Sequence, residues 1–245
     1  MHMSLTTTEK NLTSQVLGTV PHPQDPVRLE ALEFIQNNGF PTTKHEEYRH
    51  TPISRELEKN FTFSGDADAG QKTGSANFLI PGFEANILVF INGKFSEENS
   101  RRISPPSEFT VTDLATAVNT HALAKEHFSR YANHRSDSFT AWNTAAWTEG
   151  IFIHVPDNAV VTRPIIIHHV HQTDAEAIAV NRNLIVSGKN SQVTILEKFD
   201  SAGSGKYFLN LVTEALVDEN AEFNFYSIHN DSGNRYQYGL TEIFQ

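Results

Sequence analysis

Gly150-Ile151-Phe152-Ile153-His154-Val155-Pro156-Asp157-Asn158 is the stretch on which the fold turns. Ile151, Ile153 and Val155 alternate with Phe152 and His154, the period of two that sends successive side chains to opposite faces of a β-strand. Pro156-Asp157-Asn158 then breaks the run with turn residues. The arrangement returns twice more. Leu184 and Val186 alternate toward Ser187-Gly188-Lys189-Asn190, and Leu211, Thr213, Ala215 and Val217 toward Asp218-Glu219-Asn220. Alternation resumes after the second and third turns, at Val193 and Ile195 and at Phe223 and Phe225. Val155, Val186 and Val217 follow one another at intervals of 31 residues. A strand–turn–strand unit at a fixed period is how a β-solenoid stacks equivalent side chains coil upon coil. A β-sandwich with hairpins of similar length gives the same spacing. The pattern predicts a mainly β fold, with the solenoid preferred and the sandwich as its alternative.

Upstream of Gly150 the period is helical. Asp25-Pro26 supplies an N-cap oxygen and a proline whose missing N–H costs nothing at a helix start. Val27, Ala31, Phe34 and Ile35 then share one face, and Asn38-Gly39 ends the helix. A short helix fits Ser54–Lys59. Ser64–Ser75, rich in Gly, Ala and Asp without periodicity, reads as a linker or long loop. Ile87–Ile91, Asn92-Gly93 and Lys94-Phe95 form a hairpin signal, since both turn residues tolerate positive φ. Thr112 or Asp113 can cap a helix with Leu114, Ala117, Val118 and His121 on one side. Ser138 can cap another carrying Phe139, Trp142 and Ala146. The organisation predicted is a helical region and linker over 1–80, a hairpin and helical segment over 81–149, and solenoid coils over 150–245.

The chain has 245 residues, 38% hydrophobic and 20% charged, enough for a sizeable core. Its formal net charge of −10 argues against nucleic acid, whose phosphates call for a positive surface, and against anionic membrane surfaces. There is no cysteine, so disulfides, thiolate metal sites and cysteine nucleophiles are excluded within the chain, in keeping with a reducing compartment. Met1–Lys10 is polar and lacks the apolar stretch of a signal peptide. The longest apolar run, Ile87–Ile91, is far short of the ~20 residues of a membrane span. The expected location is cytoplasmic. Met1-His2-Met3 reads as a cloning remnant ahead of a native start.

Three segments together resemble the SufD branch of the SufB/SufD family. The first is Gly39-Phe40-Pro41-Thr42-Thr43-Lys44-His45-Glu46-Glu47-Tyr48-Arg49-His50-Thr51. The second is Val89-Phe90-Ile91-Asn92-Gly93-Lys94-Phe95. The third is Phe139-Thr140-Ala141-Trp142-Asn143-Thr144-Ala145-Ala146-Trp147-Thr148-Glu149-Gly150, which runs into Ile153-His154-Val155-Pro156 and Pro164-Ile165. Tyr48 stands where many relatives carry Trp, and Trp142 and Ala146 differ in size from the usual residues. These departures change packing volume, not chemistry. The resemblance covers about residues 25–245. It implies a right-handed parallel β-helix preceded by an N-terminal helical region. It also implies a cytoplasmic complex with a SufB-type paralogue and a SufC-type ATPase, on which the iron–sulfur cluster is assembled. The family's ATPase-binding helices and cluster-site residues fall beyond Gln245, so no cofactor-binding residue carries over to this chain.

Candidate chemistry centres on His168, His169 and His171. On a strand His169 and His171 face the same side about 7 Å apart at ~3.4 Å per residue, and could bind zinc or iron with His154 or His229 from neighbouring coils. The competing reading has these histidines as outward polar positions beside Ile165–Ile167. His45-Glu46-Glu47 with His50 lacks the i, i+4 spacing of a helical metal pair. Anchoring through Tyr48, with a solvated charge run, fits that segment better. Gly203-Ser204-Gly205-Lys206 is not a phosphate loop, since Lys206 is followed by Tyr207 and then by a strand pattern. Phe139, Trp142 and Trp147 could stack on sugar rings, but at helical spacing they suit capping the open end of the core. No catalytic nucleophile stands out.

The leading functional expectation is therefore a non-catalytic scaffold. A β-helix polysaccharide lyase or hydrolase is the alternative, which would need basic residues or paired carboxylates on a groove, whereas Asp157, Asp218 and Glu219 sit in turns. A metal-carrying module would rest on the histidines alone. Tyr236, Tyr238, Leu240 and Phe244 alternate up to Gln245 with no capping helix after them. An uncovered final coil exposes strand edges, which predicts a piece of a longer protein that self-associates or is covered by a neighbouring molecule.

Overall fold

The structure, a computed structural model, describes residues 11–20, 25–63, 82–231 and 233–245; the expected linker at Ser64–Ser75 lies outside them. Among the described residues ten strands form two five-stranded sheets. The first runs in the order β2 (Lys94–Arg101), β1 (Asn86–Ile91), β5 (Ile165–His171), β7 (Gln192–Ser201) and β9 (Glu222–Asn230). The second has β10 (Arg235–Phe244), β8 (Tyr207–Val217), β6 (Ala177–Ser187), β4 (Ile151–Val155) and β3 (Thr110–Asp113). From β4 onward the chain crosses from one sheet to the other with every strand, and each strand pairs in parallel with the one two places on. That is a solenoid of about three turns, not a sandwich of hairpins. β1 joins it too, parallel to β5. The antiparallel strands β2 and β3 close the opposite end.

Valine spacing marks the coils but misses the register. Val155 lies beside Ser187, 32 residues on, and Ser187 beside Val217, 30 residues on. Val186 therefore falls between His154 and Leu216 and turns to the other face, because a one-residue slip in a strand flips every side chain. The turn asparagines keep the true register. Asn158, Asn190 and Asn220 all hold positive φ (61°, 55° and 56°), a conformation asparagine tolerates better than most residues. Their side chains form a ladder, Asn190 Nδ2 donating to Asn158 Oδ1 at 3.1 Å and Asn220 Nδ2 to Asn190 Oδ1 at 2.9 Å.

Between the sheets lies an apolar core drawn from both, with Leu88, Phe90, Ile165, Ile167 and Ile195 facing Ile151, Ile153, Val155, Ile185 and Ala215. The outer face of the second sheet is covered by helices. α2 (Pro26–Asn38) and α6 (Ser138–Ala146) pack with α1 (Leu12–Thr19) and α3 (Ile53–Asn60) over Phe208, Tyr236 and Tyr238. α4 (Leu114–Thr120) and α5 (Ala122–His127) cover Phe152, Leu184 and Val186. The expected caps hold for α2, where Asp25 accepts from Val27 and Arg28 and Gly39 has φ 66°, and for α4, capped by Asp113. The expected Ser138 cap shifts by one residue. Asp137 accepts from the amides of Phe139 and Thr140, and Ser138 is already helical. The Asn92-Gly93 turn forms as expected, with φ 50° and 84°. Among the described residues no helix is long and apolar enough to cross a membrane.

Candidate functional site

The three histidines of β5 divide between its faces. His169 and His171 point inward, not outward. His169 is wedged between Phe90 and Phe199, with ring centroids at 4.9 and 5.0 Å, and His229 stacks beyond Phe199 at 4.5 Å. Four coils thus share one ladder of rings. His171 lies flat on Tyr207 at 4.8 Å. Among the described residues neither ring nitrogen of His169 has a hydrogen-bond partner, and burial holds the His169 and His171 imidazoles below their usual pKa. His168 faces outward. Its Nε2 meets Asp200 Oδ2 at 2.6 Å, and Lys198 and Asn230 bind the same carboxylate. Burial works to raise Asp200, but these bonds pull it below the usual carboxylate range. His154 belongs to the other sheet, where it packs against His121. The histidines do not converge, and among the described residues no group of three or more His, Cys, Asp or Glu is arranged for a metal ion.

Toward β9 and β10 the interior becomes polar. A cavity of about 400 Å³ opens there, bounded by Glu197, Ser227, His229, Asp231, Arg235 and Thr241 among others. Glu197 is buried at an inward position of β7, and Thr213 Oγ1 donates to its Oε1 at 2.9 Å. Burial pushes its carboxyl up to about 7. Arg235 pairs with Asp231, donates to Gln237 Oε1 at 3.0 Å, and lies 4.8 Å from the Phe199 ring centroid. Ser227 Oγ and His229 Nε2 are 3.0 Å apart. This is a chamber of hydrogen-bonding groups in a fold whose first coil is filled with apolar side chains. The sequence reading missed Glu197, Asp231 and Arg235. The signal was parity: Glu197 occupies the same face as Ile195 and Phe199.

The Gly39–Thr51 segment is an anchor. Tyr48 Oη donates to Asp137 Oδ2 at 2.5 Å, while Asp137 caps α6 with its other oxygen. Ser54 Oγ donates to the Pro41 carbonyl at 2.6 Å, and Ser138 Oγ to that of Gly39. Thr140 Oγ1 carries the connection to Tyr238 of β10 at 2.8 Å. His45 is used locally, its Nδ1 accepting from the Thr42 amide at 3.0 Å. Phe139, Trp142 and Trp147 are buried, at 0%, 2% and 5% exposure, so their faces are closed to a sugar. They cover the flank of the second sheet, with Trp142 stacked on Phe208 at 5.4 Å, and do not plug the open end as expected.

The remaining candidates serve the coils. Asp157 Oδ1 accepts from the Lys189 amide, and Glu219 pairs with the Lys189 ammonium at 2.9 Å, so these carboxylates are spent in stacked turns. Gly203 and Gly205 run against the loop of the preceding coil. A Cβ there would meet the carbonyl oxygens of Thr173 and Ala175, each at 2.1 Å. Close packing between coils, not phosphate, explains the glycines of Gly203-Ser204-Gly205-Lys206.

Comparison with known families places this geometry. Residues 14–167 match the model of the SufBD protein N-terminal region, and residues 169–245 that of the SUF system FeS cluster assembly SufBD core domain. An iron–sulfur cluster assembly SufBD family protein of Synechocystis is 28% identical over 230 residues, covering 89% of this chain and 50% of the relative. The iron–sulfur cluster assembly protein SufD of Bacillus subtilis is 29% identical over 122 residues, covering 49% of this chain and 28% of the relative. A SufBD family protein of Pyrococcus horikoshii is 30% identical over 109 residues, covering 44% and 24%. The chain spans about half the length of the Synechocystis relative it matches. With both family models matched in order along a two-sheet solenoid, the chain belongs to the SufBD family of iron–sulfur cluster assembly proteins.

Proposed function

We propose that this chain is the front part of a SufD-type, non-catalytic scaffold subunit. It acts in the cytoplasm with a SufB-type paralogue and a SufC-type ATPase, and the cluster is built on the full complex. The observation that carries the reading is the match to both SufBD family models, in order, along a parallel two-sheet solenoid.

The non-catalytic assignment is supported by how the ionisable groups are used. Arg182 and Glu214, Asp200 and Lys198, and Asp231 and Arg235 are matched in structural pairs. A pull-down with the complete protein that carries this chain tests the proposal. Recovery of the SufB-type paralogue and the ATPase is expected, and recovery of neither overturns it. The isolated chain is expected to leave pectin and related polymers intact.

A further inference from the structure

A cleft of about 390 Å³ lies where α2 meets α4 and α5, a size within the range of small-molecule sites. Arg28 of α2 and Lys125 of α5 both line it, with Val118 of α4, Phe128 and Trp147 as apolar walls. The Arg28 guanidinium lies 4.7 Å over the Trp147 ring, and its hydrogen bonds are long ones, to the carbonyls of Ala145 and Trp147 at 3.4 and 3.5 Å. Among the described residues neither Arg28 nor Lys125 has an ion-pair partner. The nearby Arg182 is already matched by Glu214, so it draws no compensation from the cleft. Asp25 of the same lining offsets part of the Arg28 charge, so two cations and one anion leave the cleft with a net positive charge that favours an anion.

We propose that this cleft binds a small organic monocarboxylate. Arg28 offers a planar fork suited to a carboxylate, and Lys125 adds a second charge from α5. One acidic group, Asp25, is in the lining, its Oδ1 occupied in capping α2. Its charge works against a dianion and leaves room for a single negative charge. Val118, Phe128 and the Trp147 ring would take a compact apolar body, which inorganic phosphate lacks. The lining contains no residue of β9 or β10, and the proposal is independent of the scaffold assignment.

Calorimetric titration of the whole chain with sodium benzoate tests this, with inorganic phosphate at equal ionic strength as the second arm. Saturable benzoate binding at one site is expected, with no saturable phosphate binding. Arg28→Gln and Lys125→Gln should each weaken benzoate by about tenfold, the loss expected for one charged hydrogen bond, while the melting temperature holds. Lys125 is exposed, so its variant decides the matter should Arg28→Gln disturb packing on Trp147. Absence of saturable benzoate binding, or affinity unchanged in Lys125→Gln, overturns the proposal. Phosphate binding as tight as benzoate overturns the ligand class.

Discussion

Glu214→Gln probes how the helices are held on the solenoid. The Glu214 carboxylate is fully buried and collects five hydrogen bonds. Arg182 Nε and Nη2 reach Oε2 at 3.0 and 2.8 Å, and the Ser129 amide reaches the same oxygen at 3.1 Å. The Tyr131 and Ala132 amides reach Oε1 at 2.8 and 2.9 Å. A glutamine can keep the two bonds at the Oε1 position, but its amide nitrogen then faces the guanidinium and the Ser129 N–H, donor against donor. Breaking one side of a buried ion pair costs about 3–5 kcal/mol, and a lost amide bond about 1 more. Arg182 retains Asn143 Oδ1 and Thr144 Oγ1, both at 3.1 Å, and the 129–132 segment can lift to admit water. These place the expected loss at about 4 kcal/mol, a large part of the ~5–15 kcal/mol that holds a domain together. Urea denaturation measures it, and amide exchange at Ser129 should quicken more than at Ala132. Adding Arg182→Leu removes the stranded charge, so the double variant should recover part of the loss. A Glu214→Gln protein within ~1 kcal/mol of the parent, or a double variant less stable than the single one, would refute the reasoning.

Three further outcomes are expected. Tyr48→Phe removes the bond to the Asp137 carboxylate and should cost about 1.5–3 kcal/mol in urea denaturation; an unchanged midpoint would remove the anchoring role of the Gly39–Thr51 segment. Burial raises the folded-state value of Glu197 from 4.5 to about 7. Its contribution to stability is therefore whole below about pH 4.5 and is lost as pH rises through 7, on the order of 3 kcal/mol at about 1.4 per unit. Glu197→Gln should flatten the melting temperature between pH 5 and 8, and a profile as steep as the parent's contradicts this. His169→Phe replaces two unpartnered ring nitrogens with a ring that suits its place between Phe90 and Phe199. It should leave stability unchanged or raise it by about 1 kcal/mol, and a marked loss would show that those nitrogens have a partner.

Much of this architecture could be read from the chain because its signals are local. Alternation located β4, β6 and β8, Asn92-Gly93 named its turn, and Asp25-Pro26 opened its helix. Register was less legible, since a valine recurs on either face of a buried strand, whereas a positive-φ turn residue such as Asn158, Asn190 or Asn220 recurs at one place in the coil. The elements that escaped owe their existence to packing. α1 buries only Leu12 and Val16, too few to show a period. β3, Thr110-Val111-Thr112-Asp113, is a strand because β4 pairs with it. The polar chamber escaped because Glu197 and Arg235 read as surface charges until the strand faces are assigned. The pairing of Tyr48 with Asp137 spans 89 residues, a distance over which sequence spacing carries no information.

The scaffold reading is tested most directly by light scattering of the complete protein that carries this chain, mixed with the SufB-type paralogue and the SufC-type ATPase. The account predicts a mixed complex heavier than any of its components. A protein that elutes apart from both would contradict it.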